Sequence, residues 1–112
     1  MAVVGTNIFV SDDETLYIST DGGENWSVQS ENLTAGYQIK GLASHGDTLY
    51  ITANNGSAGE IESLPTANAT PGSSVQKMSA AIYDKIFSVK GKFLVTIGNA
   101  IHSYDGNTTV GS

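Results

Sequence analysis

The chain has no cysteine, no arginine, only two prolines, and no apolar run approaching the roughly 18–20 residues of a membrane-spanning helix. Without cysteine there are no disulfides, thiolate metal sites or thiol nucleophiles. Without arginine the planar fork that best clamps carboxylates and phosphates is missing. Charge of one sign is also scarce. Five lysines face eleven acidic residues, a net charge of −6, and an acidic surface repels phosphate backbones. Nucleic acid and membrane are therefore not expected partners. Met1-Ala2-Val3-Val4-Gly5 carries no basic segment of the kind that opens a secretory signal, so none is expected. There is no P-loop, no dinucleotide fingerprint and no G-x-S-x-G elbow.

What is present is glycine, at 13 of 112 residues, with abundant Ser, Thr and Asn. Glycine and asparagine supply the positive φ angles of tight turns, so this composition points to a single all-β domain of many strands. Asn32-Leu33-Thr34, Asn55-Gly56-Ser57, Asn68-Ala69-Thr70 and Asn107-Thr108-Thr109 match the N-glycosylation pattern. In a chain of this composition they read as chance.

The pattern repeats. Val4-Gly5-Thr6-Asn7-Ile8-Phe9-Val10-Ser11, His45-Gly46-Asp47-Thr48-Leu49-Tyr50-Ile51-Thr52 and Lys90-Gly91-Lys92-Phe93-Leu94-Val95-Thr96-Ile97 align on their glycines, at spacings of 41 and 45 residues. Each is a turn leading into a β-branched and aromatic run, apolar enough for a strand covered on both faces. A second family follows, Leu16–Ser19, Glu60–Ser63 and Ala100–Ser103, aligned on its serines. Runs at 39–44 and 85–89 precede two of the first family, and fourth strands are expected at 26–29, 75–78 and a stub at 110–112. A period of about 40–45 residues with four strands each is that of a propeller blade. The expectation is a β-propeller-like array of about three four-stranded antiparallel blades, over 1–36, 37–79 and 80–112, some eleven strands with the first blade lacking its first strand.

Ser19-Thr20-Asp21-Gly22-Gly23-Glu24-Asn25-Trp26 is the most specific segment. Asp at a turn accepts backbone N–H groups ahead of it, Gly closes the turn, and Trp has a large apolar face to lay on a sheet. The segment resembles the Asp-box, or BNR, repeat, with Ser19, Asp21, Gly23 and Trp26 on its positions. The resemblance implies a hairpin between the third and fourth strands of a propeller blade, a structural device with Trp26 packed down. An eroded copy is read at Ser103, Asp105, Asn107 and Val110, with Asn107 in place of the turn glycine. The middle repeat keeps Ser63, has Leu64-Pro65 where the Asp would fall, and carries extra residues from Thr66 to Ser73. Asp-box propellers include sialidases, which grip the substrate carboxylate with three arginines. A chain without arginine is not expected to be one.

Other carboxylates that could pair are Asp12, Asp13, Glu14, Glu24, Glu60 and Glu62. Asp12–Glu14 reads as a solvated hairpin tip, and Glu60 with Glu62 as a polar blade edge. His45 and His102 read as unrelated, and no spaced calcium loop appears. No catalytic, cofactor or metal residues are expected. Tyr17, Tyr37, Tyr50, Tyr83, Tyr104 and Trp26 could pack between blades or present a sugar-stacking surface.

Three blades are fewer than a closed ring needs, and their side faces are apolar. The expected function is a non-enzymatic structural or decoration component of a large assembly, such as the shell or tail of a phage or virus particle. Its partners would be its own copies or that assembly, and its location a virion or the extracellular space. The alternatives are a carbohydrate-binding or adhesin module, or a fragment of an Asp-box glycosidase or propeller assembly factor.

Overall fold

The computed structural model describes residues 1–29, 32–64, 74–79, 81–107 and 110–111. They form twelve strands and no helix. The first sheet is β1 (Ala2–Val4), β2 (Asn7–Ser11), β3 (Leu16–Ser19) and β4 (Ser27–Gln29). The second is β5 (Gln38–His45), β6 (Thr48–Asn54), β7 (Gly59–Leu64) and β8 (Val75–Met78). The third is β9 (Tyr83–Val89), β10 (Lys92–Ile97), β11 (Ala100–Tyr104) and β12 (Val110–Gly111). Each is an antiparallel meander in chain order. The extra residues of the middle repeat, with the Asn68 sequon, lie outside the described residues.

The first repeat does have its first strand. Ala2, Val3 and Val4 pair with Phe9, Ile8 and Asn7, and Ala2 and Val4 are buried. Three residues are too few to display a period in the sequence.

The sheets stack on one another. Sheet two lies in the middle, covered on both faces, and its β6 and β7 are almost wholly buried. One core joins Ala2, Val4, Phe9, Leu16 and Ile18 of sheet one to Ile39, Leu49, Ile51 and Leu64 of sheet two. The other joins Ala43, Tyr50 and Ile61 to Tyr83, Ile86, Phe93, Val95 and Tyr104 of sheet three. Alternation along a strand sends successive side chains to opposite cores: Leu49 and Ile51 to the first, Tyr50 to the second. The first strands of the sheets lie side by side, β1 against β5 and β5 against β9, and all three line one open cavity.

Sheet three approaches sheet two more closely than apolar packing alone would allow. Thr52 Oγ1 donates to the carbonyl of Asp84, and Asn54 Nδ2 to that of Tyr83 at 2.8 Å. Gly41 and Gly59 make room. A Cβ on Gly59 would stand 2.8 Å from the Ala81 carbonyl and 2.9 Å from the Tyr83 nitrogen. Glycine inside a strand marks such an approach.

Strand register corrects two alignments of the repeats. Val4 pairs with Asn7, His45 with Thr48 and Val89 with Lys92 across two-residue turns. In the third turn Lys90, at φ 51, holds the place of Gly5 and Gly46, and Gly91 is the second turn residue. Two successive positive φ angles characterise a type I′ turn, whereas a positive first residue alone fits type II′. The structural counterpart of Ile8 and Leu49 is therefore Phe93, one residue before the Leu94 that aligning glycines selects. Likewise Ser19 pairs with Ile8 and Leu64 with Leu49, so Ser19 corresponds to Leu64 and not to Ser63. One residue of slip exchanges the faces of a strand.

Candidate functional site: open sheet faces and a buried carboxylate pair

The turn from Ser19 to Trp26 is closed on itself. Ser19 Oγ donates to Asp21 Oδ1 at 2.8 Å and accepts from the Gly23 N–H at 2.9 Å. Asp21 takes the Asn25 N–H on Oδ1 at 2.9 Å and Asn25 Nδ2 on Oδ2 at 2.7 Å. These bonds, the Asn25 N–H first, pull the Asp21 carboxyl down to about 2. Gly22 and Gly23 both have positive φ, and Trp26 Nε1 donates to the Gly23 carbonyl at 3.0 Å. Asp21 is fully engaged in organising the turn.

Trp26 differs from expectation. It is 44% exposed and lies beside Val10 and Tyr17 on the outer face of sheet one, where the three line a shallow apolar depression. The ring packs on its own sheet, and among the described residues no neighbouring sheet covers that face.

The segment from Ser103 to Val110 builds a different hairpin. Ser103 pairs with Gly111 and Tyr104 with Val110, so both lie in the ladder. Asp105 Oδ1 accepts the Asn107 N–H at 2.8 Å. The left-handed residue is Gly106, at φ 81, and not Asn107; its carbonyl accepts the Tyr50 hydroxyl at 2.8 Å. Residues 108 and 109 lie outside the described residues.

The other candidates separate in space. Asp12 Oδ1 accepts the N–H groups of Glu14 and Thr15, which hold its carboxyl below the usual range. Asp12, Asp13 and Glu14 are exposed at a turn tip, and the Asp13 carbonyl anchors Ile39 of sheet two at 2.7 Å. Glu24 is exposed. His45 stacks on Phe93 at 4.4 Å and shares a hydrogen bond with Ser88, whereas His102 lies on β11 opposite Val95. Among the described residues no three His, Cys, Asp or Glu side chains group as metal ligands would. Tyr50, Tyr83 and Tyr104 are buried between sheets two and three, where burial raises the phenol pKa of Tyr50 and Tyr104. Tyr37 lies in the connection from sheet one to sheet two. Of the proposed sugar-stacking aromatics, Tyr17 and Trp26 stand together at the surface.

Glu60 and Glu62 do not form a polar edge. Both are 1% exposed, on the face of β7 turned toward sheet one. Thr34 Oγ1 and the Thr34 N–H donate to Glu60, and Ser74 Oγ donates to Glu62 Oε1 at 2.9 Å. Burial and the neighbouring Glu60 push the Glu62 carboxyl up to about 7. Alternation puts both on one face, and Thr34 of the connection between sheets one and two, with Ser74, closes over it. Ser74, Thr34 and Asn32, which hold the pair, carry no sequence signal of that role.

The two ends of the stack are open. Sheet one exposes Val3, Val10, Val28 and Trp26, with Ile8 and Tyr17 half-buried among them. Sheet three exposes Phe87, Val89 and Ile101, with Leu94 half-buried. Corrected register gives each face a counterpart inside the molecule. Ile8 and Val10 stand where Leu49 and Ile51 meet sheet one, and Leu94 stands where Tyr50 meets sheet three.

No family model matches the chain, and neither curated proteins nor solved structures give a match.

Proposed function

We propose that this chain is a non-enzymatic structural component of a larger assembly, such as a phage or virus particle, and that its copies join end to end through the open faces of sheets one and three. What supports this reading is the exposure, at the two ends of the stack, of the two kinds of face that sheet two buries at its internal junctions. Such contiguous apolar faces mark interaction surfaces. The faces are different, so the contact is head to tail, and head-to-tail contacts close into rings or grow into filaments. A propeller-like ring of two or more copies is the closed form. Of the candidate carboxylates, Asp12 and Asp21 are tied into turns, and Glu60 and Glu62 are buried.

The test is the mass of the purified chain by light scattering, with Val28→Asp and Ile101→Asp as variants on opposite faces. The reading requires an oligomer that either charge dissociates while far-ultraviolet circular dichroism stays unchanged. A monomer at high concentration, unaffected by either change, refutes it.

A second reading draws on the Val10–Tyr17–Trp26 depression. An exposed tryptophan beside a half-buried tyrosine suits a sugar face. Glycan-array binding by the wild type, lost in Trp26→Ala, would select an adhesin module over the structural one.

A further inference from the structure

Burying a carboxylate without compensation is costly, and here two lie side by side on one strand face. Glu60 accepts from both the hydroxyl and the N–H of Thr34, and from Gln76 Nε2 at 3.5 Å. Glu62 Oε1 accepts from Ser74 Oγ, which itself accepts the Asn32 N–H at 2.6 Å. Asn32 Nδ2 in turn donates to the Ser74 carbonyl at 2.8 Å. Among the described residues, Glu62 Oε2 is buried with no N–H or hydroxyl donor, and Glu60 stands two residues away on the same face of β7. An acceptor oxygen left so beside another carboxylate is satisfied if one of the two carries a proton.

We propose that Glu60 and Glu62 share a single proton, and that this proton latches the segment 32–34 onto β7 and thereby closes the junction of sheets one and two in a pH-dependent way. The segment is the connection between those sheets, and Leu33 packs on the core they share. When the proton leaves to solvent, two negative charges remain in a dry interface and repel each other. The residues that regular strand alternation turns toward the pair carry no positive charge. Sheet one contributes Leu16 and Ile18, β6 contributes Ile51 and Ala53, and β8 contributes Gln76. Lys77 of β8 sits at the irregularity between Gln76, which pairs with Glu62, and Met78, which pairs with Ile61. On the solvent side of the segment, Glu14 lines a depression with Thr34 and adds negative charge. The proposal does not depend on assembly through the open faces, because the pair lies inside one chain.

The sign follows from the direction of the shift. The folded-state pKa of Glu62, about 7, is raised above its ordinary 4.5. Its stabilisation is therefore fully present below about 4.5 and is lost as pH rises through 7. Urea unfolding of the full chain between pH 5 and 9 tests this. The unfolding constant of the wild type should rise on the order of a hundredfold across that window. Glu62→Gln, which keeps a donor and cannot ionise, should show a flat profile and exceed the wild type in stability at pH 9. Glu14→Gln should follow the wild type. A wild-type profile that is flat or rises with pH overturns the proposal, as does a Glu62→Gln profile parallel to it. Carbon-13 NMR of the glutamate carboxyls in the wild type gives a reading independent of any variant. One carboxyl titrating near neutrality supports the shared proton, and all titrating in the ordinary acidic range refutes it.

Discussion

Replacing Gly59 by alanine asks how tightly sheet three is seated on sheet two. The added Cβ would meet the Ala81 carbonyl at 2.8 Å, the Tyr83 nitrogen at 2.9 Å and the Ile82 Cα at 3.0 Å. All three are backbone atoms, so no side-chain rotation relieves the clash and β9 must retreat. Overpacking of this kind costs about 1–3 kcal/mol. The retreat also stretches the Asn54–Tyr83 bond formed at the same place, worth a further ~1 kcal/mol. Together these give roughly 3 kcal/mol for Gly59→Ala. Gly41→Ala should cost somewhat less, about 2 kcal/mol. Its closest contact is the Thr52 hydroxyl at 2.9 Å, a side chain, before the Ile86 nitrogen at 3.0 Å. Gly56→Ala is the control. It has open space around its Cβ but φ of +88, so it reports only the backbone cost, about 1 kcal/mol. Urea denaturation followed by circular dichroism measures all three, and amide hydrogen exchange locates the loss in β9. If Gly59→Ala lies within about 0.5 kcal/mol of the wild type, the close seating of β9 is wrong.

Trp26→Ala should cost about 1 kcal/mol in the isolated chain, well under the ~3 kcal/mol or more of a buried aromatic, because the ring is 44% exposed. Concentration-dependent thermal melts would show a larger loss only where copies cover it. Asp21→Asn should destabilise the chain at neutral pH and leave little difference at very low pH. The Asp21 pKa is lowered to about 2 from 3.8, so its contribution is present above 3.8 and is lost as pH falls through 2. Acid titration of both proteins by circular dichroism checks this. Tyr50→Phe removes the bond to the Gly106 carbonyl and should cost about 1 kcal/mol in urea denaturation, without changing the oligomeric mass. An altered mass would place Tyr50 at a contact between copies.

Much of the strand framework was legible because it is local. Second, third and fourth strands of the repeats announce themselves through β-branched runs punctuated by glycine, and they fall at β2, β3, β4, β6, β7, β8, β10 and β11. Register was less legible. Gly91 resembles Gly5 and Gly46 in the sequence, yet Lys90 takes the left-handed position, and two turn types of equal length shift the glycine by one residue. Gly41 and Gly59 could have been noticed as glycines within strand patterns, a recognised signal of close approach. The roles of Asn32, Thr34 and Ser74 could not, since polar residues in connections are the commonest feature of such a chain.

The sequence by itself determined what depends on neighbours along the chain. It set an all-β composition, the placement of turns, the Asp21-centred loop, and the alternation that puts Glu60 and Glu62 on one face. Only the tertiary structure decided which faces are covered. Alternation distinguishes the two sides of a strand but says nothing of what lies opposite. The same apolar pattern is therefore core at Leu49 and Ile51 but half-buried and exposed at their counterparts Ile8 and Val10. The same ambiguity turned an expected polar edge into a buried carboxylate pair held by Thr34 and Ser74, because burial is a property of the whole fold and not of the strand.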